Sequence, residues 1–300
     1  MYTKIIALCL ASSFILAGCS KSSDNDLPAD EEQVITDISY GSHAQQKMDV
    51  HLPAERNTQT PVVIFLHGGG FVAGDKAEVN AYMRLFLDRG YAVVNANYRL
   101  VDSTGLSQTP VLHQESAIKI SDQLNDIRSI TDKVAASVAS WKVSGSKWLL
   151  AGHSAGATLA LLYAHGNKNS DKRIKVVANI AGATSFAFSD ESEAALVPPL
   201  LLEVLFRATG VPATNPNKLA YMAISPYWVS NNSSNAVAAI NIRPEQDSGD
   251  DLYRAYTQLL ISRSVVNQYL IITGAGHSLD PDSKKAEAVV AIDAFARAAL

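Results

Sequence analysis

The chain reads as an α/β protein built on a mainly parallel sheet of eight strands with helices on both faces. Three observations predict this. Eight apolar or alternating runs have strand length, at 33–40, 48–52, 61–66, 92–96, 148–151, 176–180, 236–242 and 268–273. Helical patterns fall between most of them, at 80–89, 123–137, 155–165, 251–262 and 283–299. Such alternation calls for crossover connections, which cover a parallel sheet on both faces. The first two runs have no helix between them and are expected to pair as an antiparallel edge. No fixed-period repeat runs along the chain, which excludes solenoids and propellers.

Before the first strand run comes a segment of different character. Met1 to Lys4 give a short positive start, Ile5 to Leu16 an apolar stretch, and Leu16-Ala17-Gly18-Cys19 a small-residue cleavage site. The apolar stretch falls short of the roughly 20 residues that a membrane-spanning helix needs. The segment resembles a bacterial lipoprotein signal. That resemblance implies a signal peptide over 1–18, cleavage before Cys19, and lipidation of Cys19. It also implies a protein held in the cell envelope, with the lipid bilayer as partner through the anchor. Ser20, where an aspartate would retain the protein at the inner membrane, implies the outer membrane. Residues 19–33 are polar and acidic and read as a flexible tether.

From residue 34 to 300 the composition is that of one globular domain. The whole chain is 47% hydrophobic and 18% charged, with a net charge of -4 and no basic patch, so no nucleic-acid partner is expected. The only two cysteines, Cys9 and Cys19, lie in the front segment, so residues 34–300 carry neither a disulfide nor a cysteine zinc site. With no metal motif and no dinucleotide fingerprint, no cofactor is expected.

Along the domain, the chemistry gathers at the ends of three strand runs. Pro61 to Leu66 is a buried-strand run ending in His67-Gly68-Gly69-Gly70-Phe71. Glycines there let backbone N–H groups approach a substrate carbonyl, and Gly69 and Gly70 are candidate donors to a developing oxyanion. The run 148–151 leads into Gly152-His153-Ser154-Ala155-Gly156 and then a helix-forming stretch. That is strand, sharp turn and helix, with Ser154 at the apex, and Ala155 supplies the third candidate donor. The run 268–273 leads into Gly274-Ala275-Gly276-His277, which places a histidine on a loop near the C-terminus. A serine hydroxyl needs a base to become a nucleophile, and His277 is that base on positional grounds. His67 is expected to orient the glycine loop, His153 to occupy the elbow's variable position, and His113 to be a surface residue.

These motifs, in this order, resemble the α/β-hydrolase superfamily, and within it the carboxylesterases of the hormone-sensitive-lipase-like and feruloyl-esterase-like type. The resemblance covers about residues 34 to 300. Supporting matches are Tyr98-Arg99 after the fourth strand, Gln123 to Asp126 at the head of a helix, and Ser225-Pro226. It implies an α/β-hydrolase fold and a serine hydrolase that cleaves carboxylic esters of small molecules or saccharides through an acyl-enzyme. The same machinery also suits an amide or formamide hydrolase, since fold and triad do not fix the leaving group. A binding protein that kept the fold without catalysis is the remaining alternative.

Two segments depart from the pattern. Residues 183–225 form a long insertion between two core strands, with an apolar block at 194–206, and are expected to fold as a small helical lid over Ser154. The triad acid is ambiguous. Relatives carry a His-Gly-x-x-Asp-type segment after the next-to-last strand, where this chain has Arg243-Pro244-Glu245-Gln246-Asp247-Ser248-Gly249-Asp250-Asp251. Counting from the strand end selects Asp247. Glu245, Asp250 and Asp251 stay open, because an aspartate just before a helix commonly serves as its cap.

Overall fold

The computed structural model describes residues 27–300. The expected signal peptide, Cys19 and the first part of the tether lie outside the described residues.

In chain order the elements are β1 (Gln33–Ser39), β2 (Lys47–Leu52), β3 (Val62–Leu66), α1 (Asn80–Leu87), β4 (Ala92–Ala96), α2 (Ile120–Trp141), β5 (Trp148–His153), α3 (Ala155–His165) and β6 (Ile174–Ile180). There follow α4 (Glu191–Ala194), α5 (Pro199–Thr209), α6 (Lys218–Ala223), α7 (Pro226–Asn232), β7 (Ala238–Pro244), α8 (Asp250–Ser262), β8 (Asn267–Ile272) and α9 (Asp282–Ala299). The strands form one eight-stranded sheet in the order β1-β2-β4-β3-β5-β6-β7-β8. β1 and β2 pair antiparallel, β2 meets β4 antiparallel, and every other pairing is parallel. The antiparallel edge and the parallel body are as the sequence predicts.

Successive side chains on a strand face opposite sides of the sheet, so a strand buried on both faces must be apolar at every position. β3 shows the consequence. Val62, Ile64 and Leu66 enter one core with α2, α3 and part of the insertion, while Val63 and Phe65 enter the other with α1 and α9. α3 lies between sheet, α2 and α7, and all eleven of its residues are buried. A helix so enclosed needs no polar stripe, which is why Ala155 to His165 is nearly uniformly apolar.

α2 differs from expectation. It begins at Ile120, ahead of the predicted Gln123, because the Lys119 N–H donates to the Asp122 carboxylate at 2.9 Å and caps the first turn. It runs on to Trp141 and stops where Lys142 turns left-handed, at φ 54°.

Candidate active site

Three strand ends converge on Ser154. The residue sits between β5 and α3 with φ 53° and ψ -124°, a strained conformation for a side chain larger than hydrogen. What holds it is the close packing on either side. A Cβ on Gly152 would lie 2.5 Å from the Gly156 carbonyl carbon, and one on Gly156 would lie 2.2 Å from the His67 oxygen and 2.4 Å from the Leu66 oxygen. The elbow is therefore wedged against the end of β3, and only glycine fits at both positions.

The glycine loop follows β3. Gly69 adopts φ +110°, and a Cβ there would sit 2.1 Å from the Ala73 oxygen. His67 is fully buried beneath the loop, its Nδ1 2.7 Å from the Gly68 oxygen and its ring stacked on Tyr98 at 4.4 Å. Burial holds its pKa below the usual histidine range, so the ring is neutral, as a strut in an apolar floor should be. The Tyr98 hydroxyl donates to the His67 oxygen at 2.8 Å, and Gln123 donates to the oxygens of Phe71 and Arg99, each at 2.9 Å. Asp126 in turn clamps Arg99, with Nη2 to Oδ1 at 2.7 Å. The Tyr-Arg pair and the head of α2 thus brace the glycine loop. The N–H groups of Gly69, Gly70 and Ala155 donate to no protein acceptor among the described hydrogen bonds, and remain available to a substrate oxygen.

His277 lies between the other two groups. Its Nε2 is 2.9 Å from Ser154 Oγ and its Nδ1 is 2.7 Å from Asp247 Oδ2. A proton on Nδ1 directed at the carboxylate leaves Nε2 as an acceptor for the serine O–H, the tautomer that general-base catalysis needs. The His277 side chain is 51% exposed and that of Asp247 21%, so the relay opens to solvent along one side.

The other carboxylates of the acid loop have different partners. Glu245 accepts the Gly274 N–H at 2.6 Å, tying the acid loop to the histidine loop. Asp250 heads α8, where hydrogen bonds from the Tyr269 hydroxyl at 2.5 Å and from Arg254 Nε at 2.7 Å hold its pKa below the carboxylate range. Asp251 lies exposed in the first turn of α8.

Sequence reasoning missed two residues that hold these groups in place. Arg243 is 6% exposed and its Nη1 donates to the oxygens of Pro244 at 3.2 Å, Glu245 at 3.1 Å and Asp247, while Nε donates to the Tyr269 hydroxyl at 2.9 Å. One planar guanidinium thus gathers the turn that carries Asp247. The signal was present in the sequence as Arg243-Pro244, the pair at which the acid segment departs from the expected pattern. The second residue is His153, whose Nε2 donates to the His277 oxygen at 2.8 Å while the ring stacks on Tyr82 at 6.5 Å. Burial lowers its pKa, so it acts as a neutral hydrogen-bonding prop under the histidine loop. Its place in the variable position of the elbow hid this.

The insertion is helical, as expected, and carries α4, α5 and α6. Its helix α5 docks on the segment after β4, and the insertion borders the site where Phe186 meets Phe71 edge-on at 6.0 Å. The reason is electrostatic. Arg207 on α5 is fully buried and must find acceptors, which it does in the oxygens of Asp102 at 2.8 Å, Thr104 at 2.9 Å and Leu112 at 2.6 Å, together with Glu203 at 2.7 Å. His113, exposed as expected, adds a contact to Glu203 at 2.7 Å. A cavity of about 490 Å³ beside Ser154 is lined by the glycine loop, Glu78, Val79, Tyr82, His153, His277, Ser278, Asp280 and Lys285.

Residues 48–194 match the BD-FAE family model. A kynurenine formamidase of Danio rerio is 25% identical over 130 residues, which is 43% of this chain and 38% of that protein. A probable isoprenylcysteine alpha-carbonyl methylesterase of Oryza sativa subsp. japonica is 27% identical over 128 residues, 43% of this chain and 28% of that protein. The chain therefore spans less than two fifths of the length of these relatives. Among solved structures, a thermophilic carboxylesterase cloned from a metagenomic library superposes with a TM-score of 0.68 at 19% identity, over 91% of this chain and 90% of that one. A truncated carbohydrate esterase from gut microbiota does so with a TM-score of 0.68 at 15% identity, over 91% and 98%. With this sheet order, a glycine loop after β3, a serine elbow after β5 and a histidine after β8, the chain has the α/β-hydrolase fold.

Proposed function

We propose that the protein is a serine hydrolase that cleaves carboxylic esters of small molecules or saccharides. The observation that carries the reading is the unbroken relay from Ser154 through His277 to Asp247, facing three N–H groups that have no protein acceptor among the described residues. Ser154 Oγ bonds to the ester carbonyl carbon as its proton passes to His277 Nε2. The carbonyl oxygen takes up negative charge before the N–H groups of Gly69, Gly70 and Ala155, where a single such donor is worth about 3 kcal/mol. Collapse breaks the C–O bond to the alcohol, which leaves with the proton from His277. Water then attacks the acyl-serine with His277 again as base, and the acid departs. Asp247 holds the imidazole tautomer and stabilises its charged form.

The likeness to a methylesterase supports the ester reading, and the likeness to a kynurenine formamidase favours formamide cleavage as a second reading, since both bonds pass through the same tetrahedral oxyanion. Turnover of nitrophenyl acetate against an N-formyl anilide separates them. A fluorophosphonate that labels wild type but not Ser154→Ala establishes an activated serine, and failure to label wild type overturns the hydrolase reading in favour of a binding protein. The leader is part of the same proposal: a signal peptide over 1–18, lipidated Cys19 and a tether to residue 33 would hold the hydrolase domain 34–300 at the outer membrane. Cys19→Ala should then move the protein from the membrane fraction to the soluble one with kcat/KM unchanged. Continued sedimentation with membranes rules out the anchor.

A further inference from the structure

The cavity beside Ser154 has a defined chemical side. The leaving alcohol must take its proton from His277 Nε2, while the carbonyl oxygen must point at the glycine loop, so the alcohol half of an ester lies toward His277 and the residues after it. Those residues, Ser278, Asp280 and Lys285, line the 490 Å³ cavity together with Glu78. Its walls therefore carry charged side chains on an otherwise largely apolar lining. At the floor, Tyr82 is 3% exposed, stacked on Phe65 at 4.9 Å, and its hydroxyl is buried without a partner.

The charges in this cavity do not cancel. Lys285 is shared between Asp280 at 2.6 Å and Asp282 at 2.9 Å, which leaves that corner negative by one. Glu78 joins the lining from the short 3-10 turn 76–79, exposed, with no ion pair or side-chain hydrogen bond among the described contacts. A carboxylate brought in on the alcohol would meet both. Two like charges at about 6 Å, in the intermediate dielectric of a half-open cavity, change a binding constant by roughly tenfold.

Resting on the ester-hydrolase reading, we propose that this cavity is the alcohol subsite and that Glu78 makes it a charge filter, which admits neutral hydroxyl-bearing alcohols and rejects alcohols carrying a carboxylate. Glu78 accepts a hydroxyl of the neutral alcohol, above the buried ring of Tyr82. Neither residue takes part in bond making or breaking. Their effect is confined to which ester is held in line with Ser154.

The test compares two esters that differ by one charge, glyceryl monoacetate and O-acetylglycerate, through the ratio of their kcat/KM values. Wild type should prefer the neutral ester by roughly tenfold or more. Glu78→Gln should shrink that preference by about threefold to tenfold, and Lys285→Gln, which removes the compensating cation, should enlarge it by a similar factor. Both changes should fade in 0.5 M salt, where the Debye length drops to about 4 Å. Partial misfolding lowers both substrates alike and leaves the ratio alone, so opposite movements of the two variants support the filter. A ratio unmoved in Glu78→Gln, or moved the same way in both variants, overturns it. Nitrophenyl acetate, whose alcohol bears no carboxylate, tests the underlying reading separately: no turnover by wild type sinks the hydrolase, whereas turnover with no charge preference sinks only the filter.

Discussion

Replacing Arg243 by methionine should damage catalysis without touching any reacting atom. The guanidinium donates to three carbonyl oxygens of the turn 244–247 and to the Tyr269 hydroxyl, and methionine keeps only the apolar stem. Hydrogen bonds from a charged donor are worth about 1.5–3 kcal/mol each, but the freed carbonyls lie near solvent and can turn to water. The net loss of stability is then about 2–4 kcal/mol. The catalytic effect follows from distance. Asp247 Oδ2 is 2.7 Å from His277 Nδ1, and a turn relaxed by about 1 Å takes that contact out of hydrogen-bond range, a misplacement of the kind that costs roughly 100-fold in rate. Steady-state kinetics on nitrophenyl acetate, at equal folded fraction, should show kcat reduced by that order with KM little changed. Combining Arg243→Met with Asp247→Asn should add little to the loss from Asp247→Asn alone, because both act through one contact. Arg243→Lys should recover part of the rate, since an ammonium donates to the turn without the planar fork. An Arg243→Met enzyme that loses stability as expected yet keeps wild-type kcat would refute the reasoning.

Asp247→Asn should lower kcat by roughly 10⁴-fold, because an amide favours the wrong imidazole tautomer, while Asp250→Asn should cost far less; a reversed order in the two rates shows that the acid is misassigned. Gly156→Ala should destabilise the protein by about 3 kcal/mol or prevent folding, since its methyl would meet the backbone oxygens of His67 and Leu66 at 2.2 and 2.4 Å, and a urea midpoint within error of wild type contradicts this. His165 is buried and its pKa is pushed down to about 4, so below the unfolded value of about 6.5 the unfolded chain takes up a proton that the folded chain refuses. Stability from this residue is therefore present above pH 6.5 and lost as the pH falls toward 4, by on the order of 3 kcal/mol. His165→Gln should flatten that part of the pH profile in urea titrations at pH 7 and 4.5, and an unchanged slope speaks against the assignment.

What the sequence makes legible here is local. The elbow, the glycine loop and His277 each declare themselves within five or six consecutive residues, because backbone strain and close approach restrict the residue types allowed. The strand runs are equally plain, since burial on both faces forbids polar positions. The acid loop is less legible for a physical reason. Four carboxylates lie within seven residues, and which one faces His277 depends on where Arg243 pulls the backbone, a contact that no local pattern encodes. The insertion shows the same limit. Its helices are evident from the apolar block 194–206, but their docking is decided by a buried arginine whose acceptors lie about a hundred residues earlier in the chain.

The order of strands bears on how the proposed hydrolysis would be lost on heating. Ser154 grows from β5 in the middle of the sheet, whereas Asp247 and His277 follow β7 and β8, and β8 is an outermost strand with a neighbour on one side only. β5 is buried along nearly its whole length and β8 for the most part only partly. Edge elements open at lower free energy than central ones, so the proton-handling half of the relay belongs to a softer cooperative unit than the nucleophile it serves. Hydrolysis should then fade below the temperature of global melting, with amide protons of β8 exchanging early and those of β5 late. The serine would outlast its own base.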